Sequence, residues 1–196
     1  MSKKELTVQI NPLMMSTVLV STASADGIVN LCSIAWITRV NSKPPLLVFG
    51  IGPHKKTYQN ISETRCFGIN IPDRSLIPAI DYCGLHTGNT LGKDSVLAIE
   101  KGQSTGVPLI KACKVQMECT LWQVVETPKN HLIIGEIKAV YADEDILDEH
   151  DGIDIYKMDP VLHAMAGSHI YFSAGPKTDD AYQKRSLSEV QEHEYS

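Results

Sequence analysis

Two short stretches of this chain gather residue types that can hold a charged, planar ligand. The first is Asn30-Leu31-Cys32-Ser33-Ile34-Ala35-Trp36-Ile37-Thr38, and the second is Pro53-His54-Lys55-Lys56-Thr57. In the first, the small polar side chains of Asn30, Cys32 and Ser33 collect where a strand begins, a place where they have no obvious packing use. In the second, two cations and a hydroxyl stand at the expected start of a helix, whose unpaired N–H groups and positive dipole end favour an anion. Together they read as a cradle for a phosphorylated aromatic ligand. Each stretch also has a plainer reading: Lys55-Lys56 as a solvated turn with Thr57 as a cap, and Trp36 as core in an ordinary strand.

The commonest nucleotide signatures fail here on chemical grounds. Gly50 to Thr57 nearly spells G-x-x-x-x-G-K-[ST], but Lys55 stands where the second glycine must let backbone N–H groups wrap round phosphates. Gly50-Ile51-Gly52 likewise begins a G-x-G-x-x-G turn that breaks at Lys55. Neither an NTPase loop nor a Rossmann turn is expected.

The elements that would position these residues are mostly strands. Thr17 to Thr22 is β-branched and short, and Asp26-Gly27 turns it into Ile28-Val29-Asn30 as a hairpin. Ile34 to Val40 and Leu46 to Ile51 are predicted to be adjacent antiparallel strands, separated by a loop that Pro44-Pro45 keeps out of the sheet. In Lys114 to Leu121 the alternation puts Val115, Met117, Cys119 and Leu121 on one face and Lys114, Gln116, Glu118 and Thr120 on the other, predicting a half-buried strand. His131 to Ala142 continues the sheet after the turn Thr127-Pro128-Lys129-Asn130, and the long ribbon can close with the earlier strands into a barrel. Short helices are predicted over Thr57 to Glu63 and from Asp73 to Ile80, with Pro78 limiting or displacing the second. Gly84 to Gly106, rich in glycine and poor in periodicity, reads as a long surface loop.

The 196 residues form most simply one domain over 1–175, followed by a charged tail over 176–196 in which Ser186-Leu187-Ser188-Glu189 has capping-box spacing. A formal net charge of -5 argues against nucleic acid as the main partner. The five cysteines, Cys32, Cys66, Cys83, Cys113 and Cys119, include no C-x-x-C pair, so neither a disulfide framework nor a metal site is expected, and a reducing compartment fits. With no leader-like or membrane-length apolar run, the expectation is a cytoplasmic protein that does not enter a membrane.

The order of motifs along the chain adds a resemblance. Asp26-Gly27-x-x-Asn30-x-x-Ser33-Ile34-Ala35-Trp36, then Pro44-Pro45, His54-x-x-Thr57-x-x-Asn60-Ile61 and Phe67-Gly68-Ile69-Asn70-Ile71-Pro72, resembles the flavin reductase-like family, which includes flavoredoxins. Thr87-Gly88, Lys93-Asp94, Pro108-Leu109-Ile110, Glu118-Cys119, His131-x-x-x-Gly135-Glu136, Pro160-Val161-Leu162 and Gly167-x-x-x-Tyr171 agree in order, so the resemblance spans roughly Pro12 to Phe172.

That resemblance implies a mainly β fold, an FMN-binding split β-barrel of antiparallel strands with short peripheral helices. It implies that Asn30, Cys32, Ser33, Ile34 and Ala35 line the isoalloxazine and ribityl chain, that Lys56 and Thr57 hold the phosphate, and that His163 or His169 meets the flavin or nicotinamide. No catalytic side chain is assigned, since positioning and the field around the ring would do the work. The implied function is an FMN-dependent oxidoreductase that passes electrons from NAD(P)H to a second acceptor and works as a homodimer. Two alternatives stay open: a flavoredoxin-type carrier reduced by a redox protein partner, and a split-barrel binding module without flavin.

Overall fold

The computed structural model describes residues 2–89, 93, 95–178 and 181. Its strands are β1 (Asn11–Ser16), β2 (Val18–Ala23), β3 (Val29–Ile34), β4 (Ile37–Asn41), β5 (Leu46–Ile51), β6 (Cys66–Ile71), β7 (Ile99–Lys101), β8 (Pro108–Ile110), β9 (Val115–Glu126), β10 (His131–Ala142), β11 (Leu162–Met165) and β12 (Ile170–Phe172). Among the described residues three α-helices accompany them: α1 (Lys56–Thr64), α2 (Ile77–Leu85) and α3 (Ile155–Met158). The main sheet runs β3-β2-β6-β9-β10-β5-β4, each neighbouring pair antiparallel. A second sheet, β1-β11-β12, joins the two ends of the described chain, and β7-β8 forms a small third one.

The core explains why the main sheet curls. Cys32 and Ile34 from β3 share one apolar cluster with Phe49 and Ile51 from β5, although these strands lie near opposite ends of the sheet. Burying both sets together brings the two ends round into a split barrel. Phe49 and Phe67 meet edge to face at 5.5 Å in the middle of it. Gly135 on β10 makes room for that pair, because a Cβ there would lie 2.3 Å from Phe67 Cζ. Truncating rings buried this completely typically costs about 3–5 kcal/mol. A second cluster seats α2, through Ile80 and Cys83, on Leu19, Leu31 and Ile110.

Most sequence expectations coincide with these elements. The Asp26-Gly27 turn forms with Gly27 at φ +81°, and β5 and β10 have the bounds anticipated. Three differ in instructive ways. The strand expected from Ile34 to Val40 is broken at Ala35-Trp36, where Ile37 N–H turns back to Ala35 O and Gly50 N–H reaches Trp36 O. The helix expected from Asp73 begins instead as a 3-10 turn over Arg74–Leu76, capped by Asp73, and passes into α2 with Pro78 in its first turn, where the missing N–H costs nothing. The Gly84 to Gly106 stretch is not all loop, since Ile99–Lys101 pairs with Pro108–Ile110. The expected capping box at Ser186 to Glu189 lies outside the described residues.

The expectation of a half-buried β9 is corrected. Glu118 and Gln116, on the face predicted to meet solvent, are buried together with Val115 and Cys119 on the other. The segment around β7-β8 folds over that face and supplies the partners that make burial tolerable. Ser104 N–H and Thr105 N–H donate to the Glu118 carboxylate at 2.8 and 2.5 Å, and the hydroxyls of Thr105 and Tyr141 donate at 2.6 Å each. Burial alone would push this carboxyl up, but those hydrogen bonds outweigh it and hold it at about 2, below its ordinary 4.5.

Because the folded value lies below the unfolded one, the stability Glu118 contributes is complete above about pH 4.5 and is lost as pH falls toward 2. Glu118→Gln keeps the shape but faces an amide donor toward N–H donors, and is expected to cost about 2–4 kcal/mol at pH 7. Urea melts of both proteins from pH 7 to pH 3 check this: the gap between them should narrow with acid, and a gap independent of pH would refute the assignment.

Candidate functional site

The break at Ala35-Trp36 creates the site. β3 is an edge strand of the main sheet, paired with β2 on one side only, and its far side opens into a cleft of about 380 Å³. Cys32, Ser33, Ile34 and Ala35 form one wall, with Trp36 and the end of β5 at Gly50, Ile51 and Gly52 beside them. Lys129 and Asn130 from the β9–β10 turn, and His163 and Met165 from β11, complete it. Small side chains and glycines here leave a slot fit for a flat ring.

A narrow crevice continues from Cys32 and Lys55 toward the first turn of α1, lined by Asn30, Lys56, Thr57, Gly88 and Lys93 among others. The helix begins after Lys55, whose side chain makes no capping hydrogen bond, so the first N–H groups of α1 are left for a ligand. The expectation that Thr57 caps this helix is therefore corrected: Thr57 sits inside the first turn, 1% exposed, and its Oγ1 accepts from Asn30 Nδ2 at 2.8 Å. Farther along α1, Asn60 Nδ2 donates to Thr22 Oγ1 at 3.1 Å. These buried bonds fix the helix start against β3 and β2.

Of the residues expected at the site, Asn30, Cys32, Ser33, Ile34, Ala35, Lys56 and Thr57 all line this cleft and crevice. His169 does not line either. Its Nδ1 lies 3.2 Å from Nε2 of His163, and the two rings stack at 5.3 Å, so His163 is the histidine that meets the cleft. His163 in turn packs against Tyr171, whose hydroxyl donates to Asp81 at 2.8 Å. Burial and the neighbouring His169 push the His163 imidazole below its ordinary value, against the pull of Asp81. Trp36, which the plainer reading of this stretch put in the core, is 50% exposed at the cleft's edge.

Sequence reasoning placed Lys93 in a motif without giving it a role. It is 3% exposed, and its ammonium donates to Cys83 O at 2.8 Å and Leu31 O at 3.0 Å. Among the described residues its third hydrogen has no acceptor, which leaves one donor for the crevice. Burial pushes this ammonium down from 10.5, while the Cys32 and Cys83 thiols hold it up. The Cys32 thiol is itself pushed up by burial, against a hydrogen bond with Thr57 and the charges of Lys93 and Lys55. The net direction is away from the thiolate, the form a nucleophilic cysteine needs.

The profile of the family described as "Flavin reductase like domain" matches residues 12–167. The chain belongs to this family. Flavoredoxin from Methanosarcina acetivorans is 30% identical and superposes with a TM-score of 0.87, covering 93% of this chain and 97% of that one. Flavoredoxin of Desulfovibrio vulgaris (Miyazaki F) is 27% identical with a TM-score of 0.85, covering 93% and 98%. An FMN-binding protein from Thermus thermophilus, 22% identical with a TM-score of 0.76 and covering 92% and 97%, shares the fold.

Thr57 and Lys93 are therefore expected to decide anion affinity at the crevice. Thr57→Ala should weaken FMN by about 1–3 kcal/mol, roughly 5- to 150-fold, with Thr57→Ser restoring most of it, and Lys93→Met should weaken it at least as much. Titrating the protein with FMN and following quenching of flavin fluorescence gives the dissociation constants, and wild-type affinity in both Thr57→Ala and Lys93→Met would show that the phosphate binds elsewhere.

Proposed function

We propose that this protein is an FMN-dependent oxidoreductase that takes electrons from NAD(P)H and delivers them to a second acceptor. The observation that carries the reading is the junction of two unlike sites: a slot walled by small residues opens directly into a crevice with a buried, partly unsatisfied ammonium and an uncapped helix start. FMN has that composition, a flat ring joined through a short chain to a phosphate. Cys32, Ser33, Ile34 and Ala35 would hold the ring and ribityl chain, with Lys56, Thr57 and Lys93 on the phosphate. The crevice measures about 10 Å³, less than a phosphate fills, so binding requires its lining side chains to part.

When bound, the flavin supplies two-electron chemistry between a dihydronicotinamide and the acceptor. The chain contributes position and field. Backbone N–H groups along the free edge of β3 and the lysines of the crevice favour negative charge on the ring and phosphate, while the apolar walls limit water. His163 at the mouth would orient the second substrate.

A specific observation favours a second reading. The two solved structures at 30% and 27% identity are both named flavoredoxins, so an electron carrier reduced by a redox protein partner is the alternative. We also infer a homodimer. Leu13, Met14 and Trp36 expose apolar surface round a groove of about 570 Å³ beside the cleft, a patch that a second copy of this chain would cover. The five cysteines are free thiols, the state that a reducing cytoplasm maintains. Among the described residues no helix is long and apolar enough to cross a membrane.

The reading is tested on purified protein loaded with FMN. Anaerobic mixing with NADH or NADPH should bleach the flavin band within seconds for the oxidoreductase. Bleaching only by a reduced protein partner would assign the carrier instead, and protein that takes up no FMN would sink both.

A further inference from the structure

We infer that the open half of the cleft holds the second substrate by an anionic group, a carboxylate or phosphate, placed between Lys129 and Lys55. This rests on the flavin reading, in which the cofactor's one phosphate belongs to the crevice and is served there by Lys56 and Lys93. Lys129 lines only the open cleft, and Lys55 lines both spaces. The charge at Lys129 therefore addresses something other than the cofactor's phosphate.

The surroundings point the same way. The chain carries 23 acidic residues against 18 lysines and arginines, yet among the described residues no aspartate or glutamate lines the cleft or the crevice. Ion pairs elsewhere join Arg74 to Asp159 and Lys138 to Glu136, and none among the described residues involves Lys55 or Lys129. Two cations from separate elements, the start of α1 and the β9–β10 turn, thus face one cavity without a counter-charge. Asn130, beside Lys129, adds an amide, and His163 faces the same space. Cations focused on a walled cleft raise the local concentration of an anionic substrate and orient it over the ring. The pyrophosphate of a nicotinamide dinucleotide and the carboxylate of an organic acceptor share this chemistry.

FMN-loaded protein is titrated separately with inorganic pyrophosphate and with benzoate, following the change in the flavin absorption band. At least one anion should perturb the band saturably. Lys129→Gln should weaken that binding about tenfold, Lys129→Glu should abolish it, and Lys129→Arg should restore it. Response to pyrophosphate alone assigns the anion to the dinucleotide, and response to benzoate alone to a carboxylate acceptor. Lys129 lies in an exposed turn, so the variants should take up FMN as wild type does. FMN uptake with no response to either anion, or a Lys129→Glu protein that responds like wild type, overturns this inference and leaves the flavin reading standing; failure to take up FMN removes both.

Discussion

The buried hydrogen bond from Asn30 Nδ2 to Thr57 Oγ1 holds the two halves of the site in register. α1 has nine residues, lacks a side-chain cap and is too short to persist alone, so its direction is set by what it is tied to. Asn30 ties its first turn to β3, Asn60 ties its middle to Thr22 of β2, and Ile61 anchors it in the core. An amide and a hydroxyl buried together cost little when each satisfies the other, and much when either is removed. That asymmetry makes the distance between slot and crevice a fixed property of the barrel. Gly88 extends the same constraint, because a Cβ there would lie 1.9 Å from Asn30 Oδ1.

Charge is segregated around this frame. Glu118, the fully buried acid, has its lone pairs occupied by Ser104, Thr105 and Tyr141 on the side of the sheet covered by β7-β8. Burial pushes the thiols of Cys66 and Cys119 up, and the Glu118 charge adds to that. At the crevice Lys93 donates to two carbonyls and, among the described residues, is paired with no acid. One buried charge is spent on fixing a loop, and the other is kept available.

This division marks the limit of what the sequence discloses. β5, β10 and the Asp26-Gly27 turn were legible because strand periodicity and turn chemistry are local. The seven residues Asn30, Cys32, Ser33, Ile34, Ala35, Lys56 and Thr57, which the resemblance implied, lie together along one cleft and its crevice, while their types alone left the plainer readings open. Glu118 was misplaced because alternation reports which residues share a face and says nothing of whether a later segment covers that face. The β1-β11 pairing, which joins Asn11 to Met165, has no local signal at all. Lys93 at the crevice and Lys129 and His163 at the cleft come from three separate segments, and His163 is carried there by that pairing.

The two kinds of legibility correspond to two parts of the site with different freedom to vary. The slot is made of backbone and small side chains on β3 and β5, locked by the core cluster that joins Cys32 and Ile34 to Phe49 and Ile51, so a larger residue there would displace packing throughout the barrel. The mouth is made of an exposed turn carrying Lys129, where substitutions disturb little else, and a short strand carrying His163, held by His169 and Tyr171. A fold built this way keeps one cofactor geometry while changing what approaches it. Cys32 belongs to the first part: burial pushes its thiol up, and it packs in the wall with the core cluster behind it.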